Sequence, residues 1–398
     1  MKKQFLIANI VLLVIFIALL EGVSYFIIKA KLGDFDLNTQ GGTTMVKSPY
    51  QVWEHPAFYK SWSGKTEFNN LGLRRRDDTN IEKPANTVRI VLFGGSAAFG
   101  SQAMPGSLYL QLSGTGEYAN EETITANLEN LLNAKYPHKT FEVINAATNW
   151  SRLHQQMLHY LRQIRSLDPD LVLSMDAYND SSQIRNINTW KDTAVLSEQD
   201  LFGNFKHRIS PLFKNSYTAY LLAMIIFRTE DSYQPDQQLI EQYQAITEPR
   251  DLDQKLAKAR VENKQALEKN VDEYMASMEY FNQVLERDNI PHTFYLQPLT
   301  ILDDTKQLTS IEQAIQGYQY STLDESQLLR LNFYDAIAKR GQKLEQIGKL
   351  DFESMLDVFA GEKSHVYSDY CHFTPEGNRL LAEYFLQEIE TKHAELLR

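Results

Sequence analysis

The sequence predicts an α/β fold, a parallel sheet with helices on both faces, preceded by a membrane anchor. Three observations carry this. Short apolar runs recur, "VRIVLF" at 88–93, "FEVINAA" at 141–147, "LVLSMDAYND" at 171–180 and "HTFYLQP" at 292–298. Segments of helical spacing lie between them, and strands alternating with helices make a parallel sheet covered on both sides. The first 30 residues hold one apolar stretch of membrane-spanning length.

In that stretch, residues 5–28 are interrupted only by Asn9, Glu21, Gly22 and Ser24. Twenty-four helical residues at about 1.5 Å each cover roughly 36 Å, enough to cross a hydrocarbon core with some tilt. No small-x-small cleavage site follows Leu20, so residues 1–30 read as an uncleaved anchor rather than a removed signal peptide. Lys2 and Lys3 then stay inside the cytoplasm and the bulk of the chain is exported, with Lys29 and Lys31 on the far side. Residues 31–86 are polar and turn-rich and read as a tether and approach segment, in which "LRRRDD" at 73–78 is a solvated turn.

The strand at 88–93 opens a domain over 87–398. It is β-branched and continuously apolar, as a strand buried on both faces must be. Residues 125–137, with Leu128, Leu131 and Leu132 at helical spacing, and 153–167 are the helices between the first three strands. Residues 181–288 change pattern to long charged helices and read as an insertion rising over the strand ends, or as a docking arm with no part in chemistry.

Composition excludes several functions. A net charge of −11 with no large block of Lys and Arg excludes a nucleic-acid binder. The single cysteine, Cys371, excludes an intrachain disulfide and a multi-cysteine metal site. Gly94, Gly95 and Gly100 have the wrong spacing for a dinucleotide fingerprint, and no Gly-Lys-Ser/Thr follows. His154 and His159 share a helix with no carboxylate spaced to complete a metal set, so they read as packing residues. Asp176 and Asp180 lack support as a glycosidase pair. No cofactor and no metal are expected.

Ligands of parallel sheets bind beyond the carboxyl ends of the strands, which singles out Gly95-Ser96, Ala146-Ala147 and Asn179-Asp180. Ser96 reads either as a helix N-cap or as a nucleophile. The stretch "YSDYCHFTPEGN" at 367–378 bears on the choice. Asp369 and His372 stand three apart, and Thr374-Pro375 is a natural N-cap and N1 pair. A carboxylate on the near imidazole nitrogen sets the tautomer and leaves the far nitrogen free to take a serine proton. The same pair also reads as a local cap. Asn179 and the N–H groups of Ser96 and Ala147 are suited to hold an oxyanion, while Asn179 also reads as a turn residue. Trp150 and Tyr178 near the strand ends are candidates to line the pocket.

Four blocks in order, "FGGS" with Ser96, "NAA" at 145–147, "AYND" at 177–180 and "DYCH" at 369–372, resemble the SGNH (GDSL-type) hydrolase family. The stretch "NNLGLRRRD…KPANTVRIVLFGGS" is similar to the approach segment of membrane-anchored bacterial members. The resemblance covers about 67–180 and 290–390. It implies a flavodoxin-like three-layer α/β/α fold, with Ser96, Asp369 and His372 catalytic and Ser96, Ala147 and Asn179 as oxyanion donors. It also implies a bacterial inner membrane, with the catalytic domain on the periplasmic side. The expected substrate is an ester, an acetyl or other acyl group on envelope or exopolysaccharide sugars, hydrolysed or transferred. Two positions depart from the pattern. Gly95 stands where many members have Asp, and Ala147 where Gly is usual; a positive φ there carries strain of about 1 kcal/mol. The α/β-hydrolase elbow fits less well, since Ala98 replaces its second glycine. The rival reading is a non-catalytic envelope assembly or binding protein that uses the helices at 236–288 as its partner surface.

Overall fold

The structure, a computed structural model, describes residues 2–33, 45–48, 51–61, 63–103, 107–114, 116–183, 216–226 and 234–398. Helix α1 (Lys2–Leu32) is followed by a short antiparallel ribbon, β1 (Val46–Ser48) and β2 (Val52–Glu54). The first long strand, β3 (Thr87–Gly94), leads into the four-residue α2 (Ser96–Phe99), then α3 (Leu108–Ser113) and α4 (Ile124–Lys135). Next come β4 (Thr140–Asn145), α5 (Leu153–Arg162) and β5 (Leu171–Asp176). Four helices follow, α6 (Tyr217–Ile226), α7 (Gln237–Gln244), α8 (Leu252–Glu262) and α9 (Lys264–Arg287). The chain closes with β6 (His292–Leu296), α10 (Ser310–Ser321), α11 (Glu325–Gln346), β7 (Phe352–Ser354) and α12 (Pro375–Lys392).

Five strands form one parallel sheet in the order β4-β3-β5-β6-β7. Every residue of β3, which lies between β4 and β5, is buried. Its side chains alternate as the pleat requires. Ile90 and Leu92 pack with Leu128 and Leu132 of α4 and Leu381 and Phe385 of α12. Val91 and Phe93 pack with Tyr160 of α5, Met278 and Phe281 of α9 and Phe333 of α11. Helices therefore cover both faces, and the fold is the expected α/β type.

Three differences from the sequence reading have physical reasons. The edge strand β7 is only "FES" and carries no apolar run to announce it. The 264–287 part of the expected insertion does not stand apart from the sheet. Val271, Met275, Met278, Phe281 and Leu285 form an apolar stripe on α9 that closes one face of the core, beneath a charged outer face. (Residues 184–215 and 227–233 of that segment lie outside the described residues.) Third, "LRRRDD" is not simply a solvated turn. Arg74 is buried and donates to the carbonyls of Phe99 and Gly100, both at 2.9 Å, and of Tyr118 at 2.8 Å. Its guanidinium lies 4.6 Å from the Phe99 ring centre, and burial pulls its pKa down to about 10.

Helix α1 includes a 29-residue segment, Gln4–Leu32, whose most apolar 18 residues have a mean hydropathy of 2.7, long and apolar enough to cross a membrane. Helix α6 lies against its C-terminal end. Tyr220 packs on Ile28 and Leu32, and the Tyr217 N–H donates to the Glu21 carboxylate at 2.8 Å.

Candidate active site

Ser96 is presented by a turn that only small residues permit. A Cβ on Gly94 would lie 2.5 Å from the Met175 carbonyl oxygen, so β3 and β5 run together too closely there for a side chain. A Cβ on Gly95 would lie 2.3 Å from Asn179 Nδ2. The Gly95 that departs from the usual Asp is thus the residue that lets Asn179 abut the serine turn. Helix α2 starts at Ser96, and Arg74 fastens its far end through the Phe99 and Gly100 carbonyls.

The "YSDYCHF" segment folds back on itself. The Ser368 N–H donates to the His372 carbonyl and the Thr374 N–H to the Val366 carbonyl, each at 2.9 Å. Within this turn Asp369 Oδ1 accepts the N–H groups of Cys371 and His372, both at 2.8 Å. Asp369 Oδ2 lies 2.6 Å from His372 Nδ1. Burial would raise the Asp369 pKa, but the imidazolium charge and these hydrogen bonds outweigh it and hold the carboxyl below its usual range. An ionised Asp369 keeps the ring proton on Nδ1, so the Nε2 lone pair faces outward. The Ser96 hydroxyl lies 2.7 Å from that Nε2. Thr374 caps α12 as expected, accepting the Gly377 N–H at 3.1 Å with Pro375 at N1.

The remaining predicted residues divide. Asn179 lies beside the serine turn, its Nδ2 donating to the Ser151 carbonyl at 2.8 Å. Ala147 is buried, and its φ lies outside the left-handed region, so the strain anticipated there is absent. Its N–H, however, donates to Asn145 Oδ1 at 3.2 Å and is engaged within its own loop. The left-handed residue of this loop is Trp150, at φ 63°. No sequence signal marks it, because a tryptophan is among the last residues expected there. Strain of this kind collects at functional sites. The loop is clamped from outside: the Trp53 indole donates to the Asn149 carbonyl at 2.8 Å and the Ser101 hydroxyl to Asn149 Oδ1 at 2.7 Å. Arg74 and Trp53, both in the presumed tether by sequence, are thus supports of the site.

Behind Asn179, Asp176 and Asp180 are buried. Burial pushes Asp176 up to about 6, against hydrogen bonds from Ser174 and Gln156. Burial and the neighbouring Asp176 charge push Asp180 up to about 7, against Arg152. His154 and His159 are buried packing residues, and burial takes His154 down to about 4. Among the described residues, the one His, Cys and carboxylate group with donor atoms close enough to share an ion is Asp369, Cys371 and His372. There the carboxylate and imidazole already bond each other, and burial raises the Cys371 thiol far above its ordinary pKa, which makes it a poor ligand.

No protein-family model and no curated protein matches this sequence. Solved structures similar to the chain include the acetyl xylan esterase AlAXEase, with 11% identity and TM-score 0.39, over 76% of this chain and 100% of that one. Axe2, an acetylxylan esterase from Geobacillus stearothermophilus, has 15% identity and TM-score 0.37, over 76% of this chain and 94% of that one. LAE5, an α/β hydrolase enzyme from the metagenome of Lake Arreo in Spain, has 12% identity and TM-score 0.34, over 75% and 94%.

Proposed function

We propose that this chain is a membrane-anchored, exported serine esterase of SGNH type that removes or transfers acetyl or other acyl groups on envelope or exopolysaccharide sugars. The single observation that carries the reading is the relay from Asp369 through His372 to the Ser96 hydroxyl, at 2.6 and 2.7 Å. It joins residues 276 positions apart in sequence, and a fortuitous capping arrangement has no need of that reach.

In this mechanism Ser96 Oγ attacks the ester carbonyl as its proton passes to His372 Nε2. Asp369 stabilises the imidazolium that forms. The oxyanion is held by the Ser96 N–H and by the Asn179 carboxamide, the Ala147 N–H being engaged on Asn145 Oδ1. His372 returns the proton to the departing sugar oxygen, leaving an acyl-Ser96 ester. Water, or a second sugar hydroxyl, then gives up a proton to His372 and attacks that ester. The product is a free acid or a newly acylated sugar, and Ser96 is restored. Helix α1 holds the N-terminus in the cytoplasm and the site on the periplasmic face of a bacterial inner membrane.

Ser96→Ala is expected to lower p-nitrophenyl acetate turnover by about 10⁴-fold or more with unchanged folding. A fluorophosphonate probe should label wild type at Ser96 and leave the variant unlabelled. Full turnover by the variant sinks the mechanism, and a wild type that neither labels nor turns over favours a binding scaffold.

A further inference from the structure

Beyond the C-terminal ends of β5 and β6 lies a cavity of about 270 Å³ lined by sequence neighbours of the site residues. Tyr178, immediately before Asn179, and Tyr370, two residues before His372, form one side. Their rings stack at 5.1 Å, and the Tyr370 ring centre is 6.2 Å from that of His372. Tyr109 and Tyr318 extend the aromatic wall, with Tyr109 edge-on to both Tyr370 and Tyr318. Arg330 from α11 also lines the cavity, next to Tyr178.

Among the described residues, Arg330 is held but not neutralised. Its guanidinium lies 4.2 Å from the Tyr178 ring centre, and Nε donates to Ser181 Oγ at 3.0 Å. That hydroxyl is itself fixed on the Tyr178 carbonyl at 2.6 Å. The two terminal nitrogens hydrogen-bond to no described residue, and no carboxylate of a described residue lies within ion-pair distance. A half-buried guanidinium without a counter-charge is costly, and stacking on one tyrosine offsets only part of that. In a chain of net charge −11, a cation with no counter-charge among the described residues, stacked on the residue that precedes Asn179, is a placed charge. A planar fork with both terminal nitrogens open matches a carboxylate or phosphate in two parallel hydrogen bonds. Tyrosine faces suit the C–H surface of a sugar ring while their hydroxyls meet its polar rim. The volume, at the small end of ligand pockets (about 300–1,000 Å³), suits one ring rather than an extended aglycone.

We propose that this cavity is the subsite for a negatively charged sugar residue of the acylated substrate, with Arg330 on the anionic group and the tyrosines on the ring. The inference deepens the esterase reading and rests on it. Its test compares substrates within one enzyme, so that any disturbance of Asn179 cancels. For the full-length protein, kcat/KM on acetylated glucuronate is expected to exceed that on its methyl ester by about 10- to 100-fold. In Arg330→Ala the ratio falls to about one, and Arg330→Lys retains part of it. Acetylated glucose 6-phosphate, run beside the uronate, separates the two anionic sources; whichever is preferred over neutral acetylated glucose identifies the group bound. Wild type that treats acid, phosphate and neutral sugars alike overturns the proposal. Binding of glucuronate to Ser96→Ala protein, followed by NMR shifts, reads the subsite without chemistry. If esterase activity is absent but Arg330-dependent binding persists, the subsite stands and the esterase reading falls. If turnover is present and no Arg330-dependent binding is seen, the subsite alone falls.

Discussion

At the residue scale, the site depends on what is missing at Gly95 and on what is buried behind Asn179. The carboxamide of Asn179 occupies the space a side chain at 95 would need, so the two positions are coupled. Asp180, next in the chain, makes a prediction with a sign. In the folded protein its pKa is pushed up to about 7 by burial and by Asp176, so the native state keeps a proton that the unfolded chain loses near pH 4. Its contribution to stability is therefore complete below about pH 4 and lost as pH rises towards 7. His154, buried and pushed down to about 4, acts in the opposite direction over the same range, so the difference between two proteins is the useful readout. Asp180→Asn keeps an oxygen for the Leu153 N–H and removes the titration. Urea unfolding from pH 4 to 8 should show the variant gaining on wild type as pH rises. A constant difference across that range counts against the raised pKa.

At the scale of elements, the start of α12 sets the geometry of the base. The Thr374 hydroxyl donates to the His365 carbonyl at 2.6 Å while accepting the Gly377 N–H, tying both ends of the Asp369–His372 turn to the helix. Thr374→Ala should cost about 1 kcal/mol in chemical denaturation. It should also lower kcat more than it raises KM, because the displaced group is His372 rather than a substrate contact. An unchanged kcat would show that the turn holds without its cap. This element was legible before the fold was known, because an N-cap threonine followed by proline acts through local hydrogen bonds alone. Strand β7 was not legible. Three residues at a sheet edge gain their conformation from β6 beside them.

At the scale of the whole molecule, the N-terminal helix is long and apolar enough to cross a membrane. Helix α1 exposes Phe5, Leu12, Phe16 and Phe26, which no described residue buries, and α6 joins it near residues 21–32. The full chain should remain in the membrane pellet after carbonate extraction, and a chain starting after residue 33 should be released to the soluble fraction. Release of the full chain by carbonate would remove the anchor from the proposed function. Both proteins should hydrolyse p-nitrophenyl acetate alike, since every group in the serine relay lies beyond residue 86.

What the amino-acid order determined by itself is what local chemistry decides. Continuous apolar runs made buried parallel strands, a glycine pair opened the serine turn, and a carboxylate three residues before a histidine reached its ring within one turn. Only the tertiary structure decided what depends on meetings between distant segments. It brought the Ser96 hydroxyl to the imidazole, turned Arg74 and Trp53 inward from an apparent tether, and made α9 a layer of the core. It also engaged the Ala147 N–H and set Arg330 among four tyrosines, without a counter-charge among the described residues. The reason is physical: hydrogen bonds within a turn are written in a few residues. The partner of a buried arginine, or the unpaired state of a half-buried one, is known only once the whole chain has packed around it.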